Sequence, residues 1–262
     1  MTMLSQIQRG RAPMPPRILL YGVEGVGKST WGSQAPKPIF VQTEDGLAQI
    51  DCEKFPLAKS FEEVQQALTE LHVQQHDYET VAIDSLDWTE RLIWDAVCKE
   101  YGVKSIEKVD GGYAKGYTHA LTYWRQIVDL LNALRNDKGM AVICIAHAKV
   151  EKFEDPESAA YDRYSPRLHK HAAALICEWS DAVLFATRKF RTQTEDAGFG
   201  RKRTTANPIG KDGGERVLRC VGGPSCIAKN RFGIAEELPL SWAVFVQALS
   251  NNQNDQGANK NG

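Results

Sequence analysis

Residues Gly22-Val23-Glu24-Gly25-Val26-Gly27-Lys28-Ser29 fit the pattern G-x-x-x-x-G-K-[ST], and no other stretch restricts the fold as much. Glycines at these spacings let successive backbone N–H groups turn inward around an anion, and a following helix N-terminus adds partial positive charge. The flanks supply the required setting. Arg17-Ile18-Leu19-Leu20-Tyr21 reads as a buried strand, and Thr30-Trp31-Gly32-Ser33 opens a helix that Pro36 and Pro38 stop. Gly22, Gly25, Val26, Gly27, Lys28, Ser29 and Thr30 are then the residues of a nucleotide-phosphate site, which by itself could serve a kinase, a GTPase or a motor. Lys28 would reach the β and γ phosphates, and the Ser29 hydroxyl would hold Mg²⁺.

Strand-like and helix-like stretches alternate after this loop, which predicts an α/β fold with a mostly parallel, doubly wound sheet. Residues 38–41 resume a strand that ends in the polar cluster Gln42-Thr43-Glu44-Asp45-Gly46. A short strand is expected at 56–58. Helical spacing runs over 60–72, where Ser60-Phe61-Glu62-Glu63 forms a capping box, and again over 87–101, 119–136 and 168–178. Thr80-Val81-Ala82-Ile83-Asp84 delivers a carboxylate to the end of a second strand, where Asp84 can hold Mg²⁺ through water. The most continuous apolar run, Met140-Ala141-Val142-Ile143-Cys144-Ile145-Ala146, suits the buried centre of a parallel sheet and ends at His147. That histidine has two readings: a core-edge side chain satisfied by backbone, or a sensor of the γ-phosphate. Residues 182–186 form another strand and 241–249 a final strand or short helix. The core therefore spans 17–249, between a proline-rich flexible arm (1–16) and an Asn/Gln/Gly-rich disordered tail (250–262).

A net charge of −1 leaves the chain without a long-range field for nucleic acid, so any such site must be a local patch. Two stretches without periodicity are candidates. The first, 102–117, carries Lys104, Lys108, Tyr113, Lys115 and Tyr117. The second, 149–167, carries Lys149, Tyr161, Arg163, Tyr164 and Arg167. Lysine for phosphates and tyrosine for stacking are what a single-strand-binding loop uses, while a solvated loop is the other reading. Residues 188–231 hold eleven Lys and Arg against four acids, a net of seven positive charges that include Arg201, Lys202 and Arg203. A basic antiparallel hairpin turning at 210–214 would track phosphates or form a solvated sheet edge. The six cysteines lack a C-x-x-C pair and read as free thiols of a reducing cytoplasm. His72 and His76 could share a helix face but have no evident third metal ligand. With no secretory signal and no membrane-length apolar run, a soluble, cytoplasmic protein is expected.

Taken in order, the phosphate loop, Glu44, Asp84 and His147 resemble the ATPase core of RecA-like recombinases. More narrowly, they resemble the phage-encoded, core-only nucleotide-binding proteins of single-strand annealing and recombination. Lys229-Asn230-Arg231-Phe232-Gly233 is similar to the KNRFG motif of RadA-type and hexameric-helicase-type relatives. The resemblance implies that Glu44 orients and deprotonates the attacking water, and that His147 sits at the sensor position. Lys229 and Arg231 would enter a neighbouring subunit's site, making the protein a homo-oligomeric ring or filament. The two unperiodic stretches would match the family's DNA-binding loops. No separate DNA-binding domain precedes the phosphate loop, which favours annealing, or work alongside a single-strand-binding protein, over strand exchange. Two rival classes stay open: an ATP-dependent assembly or regulatory switch acting on a protein partner, and a helicase or packaging motor.

Overall fold

Strand β1 (Arg17–Gly22) is buried along almost its whole length because both its faces are covered. Leu19 and Tyr21 point into one apolar core, Ile18 and Leu20 into a second on the opposite face. The computed structural model describes residues 3–7, 14–156, 159–196, 202–210 and 213–258. A short 3-10 helix (Met3–Gln6) lies in the expected arm. After β1 come α1 (Lys28–Ser33), β2 (Pro38–Gln42), β3 (Glu53–Lys54), α2 (Phe61–Val73), β4 (Thr80–Asp84), α3 (Leu86–Glu100) and α4 (Lys115–Asp137). Then follow β5 (Ala141–Phe153), β6 (Tyr161–Pro166), α5 (Lys170–Trp179), β7 (Ala182–Arg188), β8 (Phe190–Asp196) and β9 (Lys202–Pro208). The last elements are β10 (Arg216–Arg219), β11 (Lys229–Asn230), β12 (Glu237–Pro239) and α6 (Trp242–Ala258).

The sheet runs β12-β10-β7-β1-β5-β4-β2-β3, parallel from β7 to β3 and antiparallel at β10 and β12. It is the doubly wound α/β architecture expected. Helices α2 to α5 supply residues such as Leu68, Ile93, Trp124 and Ile176 to one core. Trp31 and Phe245 of α1 and α6 pack edge-on in the other. One half of the capping box over α2 forms as read, Glu63 N donating to Ser60 Oγ at 3.2 Å, while the Glu63 carboxylate accepts at 2.6 Å from Lys59 N, one residue before the cap. At Gly22 the chains approach so closely that a Cβ would stand 2.2 Å from Ala186 O, so only glycine fits where β1 passes β7.

Five sequence expectations change. The short strand lies at β3 rather than 56–58, because Pro56 has no N–H for a ladder and Phe55 N already donates to Phe40 O. The stretch 149–167 is not a loop but the greater part of a β5–β6 hairpin, in which Glu151 faces Arg163 and Phe153 faces Tyr161. Its period of two was hidden by alternating charges rather than alternating polarity. In 102–117 a 3-10 turn (Ile106–Gly111) intervenes and α4 already begins at Lys115, because Gly116 lets the helix close on Ile106 O. Helix α6 continues to Ala258, through most of the expected tail. An antiparallel hairpin does form, but its arms are β8 and β9, paired from Phe190 with Pro208 to Asp196 with Lys202; the glycines at 210, 213 and 214 fall between β9 and β10, which joins the main sheet. Arg201 lies outside the described residues, and Lys202 and Arg203 are described by their backbone alone.

Candidate nucleotide site

Register decides what meets at the upper edge of the sheet. Gly22 is level with His147 across β1 and β5, Asp84 with Ile145 across β4 and β5, and Gln42 with Asp84 across β2 and β4. The phosphate loop, Asp84, Glu44 and His147 therefore emerge side by side, with β5 inserted between the strands of the loop and of Asp84. They line a cleft of about 300 Å³ together with Lys28, Ser29 and Ile50. Gly25 and Gly27 take φ of 65° and 101°, the left-handed region that the turn of the loop requires. A Cβ on Gly27 would also meet Arg216 Nη1 at 3.0 Å, so Arg216 of β10 lies against the outside of the loop.

Lys28 is buried and folds back under the loop, donating to Gly22 O at 3.2 Å and Val23 O at 3.0 Å. Burial lowers the pKa of its ammonium, against the pull of Asp84, Asp87 and Glu44 in the other direction. Ser29 Oγ donates to Asp84 Oδ2 at 2.5 Å, joining a hydroxyl and a carboxylate oxygen of the hard kind that Mg²⁺ takes. Burial pushes the Asp84 carboxyl up, which a divalent cation at this spot would reverse.

Glu44 is set by a clasp between the ends of β2 and β4. Thr43 N donates to Asp84 O (2.8 Å), Thr43 Oγ1 to Ser85 O (2.7 Å), and Ser85 N to Thr43 Oγ1 (3.1 Å). Ser85 Oγ then donates to Glu44 Oε2 at 3.0 Å. His147 is not satisfied by backbone. Its Nδ1 lies 3.1 Å from both oxygens of Asp87, whose Oδ1 also accepts from His147 N, and 3.8 Å from Glu44 Oε2. The carboxylate fixes the ring with Nδ1 as donor.

Asp87 is the residue sequence reasoning missed at this site, and Arg167, expected as a DNA contact, lies beside it. Asp87 accepts from Arg167 Nη2 at 2.8 Å as well as from His147. Burial alone would raise its carboxyl, but these bonds outweigh it and hold the pKa far below the ordinary carboxylate range. The available signal was spacing: Asp87 falls in the first turn of α3, three residues past Asp84, and so faces back over the strand end. One turn further on, the buried Glu90 accepts from His169 N at 2.9 Å, and burial raises its pKa to about 7.

The other expected site residues are distributed as follows. Lys104 and Lys108 are exposed, and Tyr113 is 96% exposed. Lys115 pairs with Asp110, and Tyr117 donates to Glu107 while its ring stacks on His169 at 4.0 Å. That stack brings the first stretch to the foot of the β5–β6 hairpin. Within the hairpin, Lys149 donates to Leu168 O, Arg163 lies over Phe153, and Tyr164 stacks on Phe185. Lys229 and Arg231 are at the other edge of the sheet, beside the start of β7. There Lys229 Nζ donates to Cys177 O and Glu178 O, and Arg231 Nη1 approaches Asp181 Oδ1 at 3.4 Å. His72 and His76 are engaged apart, with Asp137 and Leu71 O respectively. No helix of the described residues is long and apolar enough to cross a membrane.

Comparison with known proteins adds three findings. Residues 14–232 match the family model AAA_24, described as an AAA domain. The SPbeta prophage-derived uncharacterized protein YorG of Bacillus subtilis (strain 168) is 27% identical over 172 residues. That match takes in 64% of this chain and 49% of the relative, so the chain spans about half the length of the curated protein it matches. A crystal structure of the RadB recombinase overlaps 78% of this chain and 80% of its own at 12% identity and a TM-score of 0.41.

Proposed function

The chain belongs to the AAA_24 family of AAA domains, and on that premise we propose a Mg²⁺-dependent, RecA-like ATPase that binds single-stranded DNA as a homo-oligomer in phage-type recombination or annealing. The observation that carries the hydrolytic part is the single cleft shared by Lys28, the Ser29–Asp84 pair, Glu44 and His147. The loop amides and Lys28 would hold the phosphates, Lys28 exchanging its carbonyl partners for phosphoryl oxygens. Mg²⁺, held by Ser29 Oγ and through water by Asp84, would neutralise charge on the transferred group. Glu44, fixed by Ser85 and close to His147, is set to orient a water and take its proton. His147 would report the terminal phosphate to the hairpin that follows it.

DNA binding is supported by where the candidate segments leave the sheet. The β5–β6 and β8–β9 hairpins both continue from strand ends at the same edge as the phosphate loop. The Tyr117–His169 stack joins the first stretch to the foot of the β5–β6 hairpin. A shared site between subunits is supported by the opposite edge, where Arg17, Arg135 and Arg231 crowd the single carboxylate of Asp181. That excess of cations suits a neighbour's phosphates, with Lys229 and Arg231 as the groups that enter. The prophage origin of the Bacillus relative fits the phage setting.

An assembly switch acting on a protein partner is the second reading, favoured by Glu151, which pairs with both Lys149 and Arg163 inside the hairpin. Fluorescence anisotropy of a labelled oligonucleotide separates the two. DNA binding predicts affinity that falls steeply and linearly with log salt, by about 0.7 per phosphate contacted. An oligonucleotide left unbound at low salt with ATP present would leave the switch.

A further inference from the structure

The guanidinium of Arg167 stands between two carboxylates from different parts of the nucleotide site. Nη2 donates to Asp87 Oδ2 at 2.8 Å, and Nη1 lies 3.6 Å from Oε1 of Glu24, the third residue of the phosphate loop. Its Nε is buried without a hydrogen-bond partner among the described residues. The two contacts differ in kind. The Asp87 side chain is 4% exposed and already bonded to His147, so that contact is an anchor. The Glu24 side chain is 79% exposed, and an ion pair so open to water contributes little.

Arg167 also closes the root of the β5–β6 hairpin. The ladder that pairs Ala148 with Pro166 is extended one step by Arg167 N donating to His147 O at 2.8 Å. Any displacement of this residue is thus passed to β6 at one end and, through Asp87 and His147, to the cleft at the other.

We propose that Arg167 reads the terminal phosphate of ATP: its free edge leaves Glu24 for a γ-phosphoryl oxygen while Nη2 keeps Asp87, and the shift is carried through the hairpin root to residues 148–166. The inference rests on the ATP-hydrolysing reading and deepens it. Arg167 is thereby a nucleotide-binding and positioning residue rather than a DNA contact. A guanidinium is the group suited to this work, since its rigid fork can hold one carboxylate and engage a phosphate with the donors that remain. Glu24 is the competitor that takes the guanidinium back when the γ-phosphate is gone. ADP, which lacks that phosphate, leaves the hairpin in its present register.

Hydrogen exchange of the peptide covering 148–166, in the full chain with AMP-PNP or with ADP, tests this directly. Wild type should show different protection with the two nucleotides. Arg167→Gln should abolish the difference and lower the preference for AMP-PNP over ADP by about tenfold, the scale of one charge-assisted hydrogen bond. Glu24→Gln, at an exposed position that folding does not depend on, should retain the difference and raise that preference. An Arg167→Gln hairpin that still distinguishes the nucleotides overturns the inference alone; a wild-type hairpin indifferent to bound AMP-PNP overturns it together with the reporting role of His147, and leaves ATP binding and hydrolysis standing. Failure of wild type to bind AMP-PNP at all removes the ATP reading and the inference with it.

Discussion

Asp87 organises the cleft without touching the phosphate loop. It holds His147 by backbone and ring and Arg167 by its guanidinium, so one buried carboxylate sets the positions of two cationic or polarisable groups. Its stabilising effect has a definite sign. The folded pKa is depressed, so the contribution is present above the ordinary carboxylate value of about 4 and lost as pH falls through the folded value. Asp87→Asn should cost about 2 kcal/mol in urea unfolding at pH 7, with the gap to wild type narrowing below pH ~4. A gap that does not change with pH would mean the carboxylate's charge is not what matters. Glu90 behaves oppositely, its carboxyl raised to about 7 by burial. Its favourable contribution belongs to the protonated form, is complete below about 4.3 and is lost as pH rises to 7. Glu90→Gln should therefore gain stability relative to wild type between pH 5 and 8, up to a few kcal/mol, since a tenfold change in proton affinity is worth about 1.4 kcal/mol. A constant difference across that range would contradict it. Lys28, Ser29, Asp84 and Glu44 were legible because loop spacing and strand ends announce them. Asp87 and Glu90 were not, because an acid on a helix reads as solvent-facing until the neighbouring elements are known to cover it.

Among elements, β1 shows the tightest match between sequence and packing. Its apolar run and the glycine that ends it were readable, but the need for glycine at position 22 comes from β7, some 160 residues away in sequence, whose Ala186 O fills the space a methyl would take. Gly22→Ala should destabilise the fold by about 1–3 kcal/mol, the range for overpacking, and weaken nucleotide binding with it as the loop is pushed off its seat. Thermal unfolding with and without ATP checks this; wild-type melting in the variant would show that the strands have room. The β5–β6 hairpin was the least legible element. Salt bridges and aromatic contacts across the ladder, Glu151 with Arg163 and Phe153 with Tyr161, replace the apolar alternation that marks a half-buried strand. The start of α4 was hidden in a similar way, because its glycine serves close packing rather than a turn.

The whole molecule has two chemically distinct edges. The upper one gathers the phosphate loop, the carboxylates and the roots of both hairpins. The lower one gathers Arg17, Arg135, Lys229 and Arg231 around Asp181 and main-chain carbonyls. Since the sheet separates Arg231 from its own phosphate loop, a role in hydrolysis requires a second copy. Lys28→Ala and Arg231→Ala should each be inactive alone, whereas an equal mixture should recover up to about a quarter of wild-type activity if the interface is head-to-tail. A mixture as inactive as its parts would remove the shared site. The α/β layering followed from the alternation of patterns in the sequence, but the strand order and the edge that would face a neighbour did not, because both depend on contacts between residues far apart in the chain. The account as a whole turns on the cleft at the upper edge. Its most direct test is the steady-state rate of ATP hydrolysis with Mg²⁺, with and without single-stranded DNA, for wild type and Lys28→Ala. The account predicts hydrolysis that DNA stimulates in wild type and that is lost in the variant. Hydrolysis by Lys28→Ala at the wild-type rate, or wild-type turnover indifferent to DNA, would contradict it.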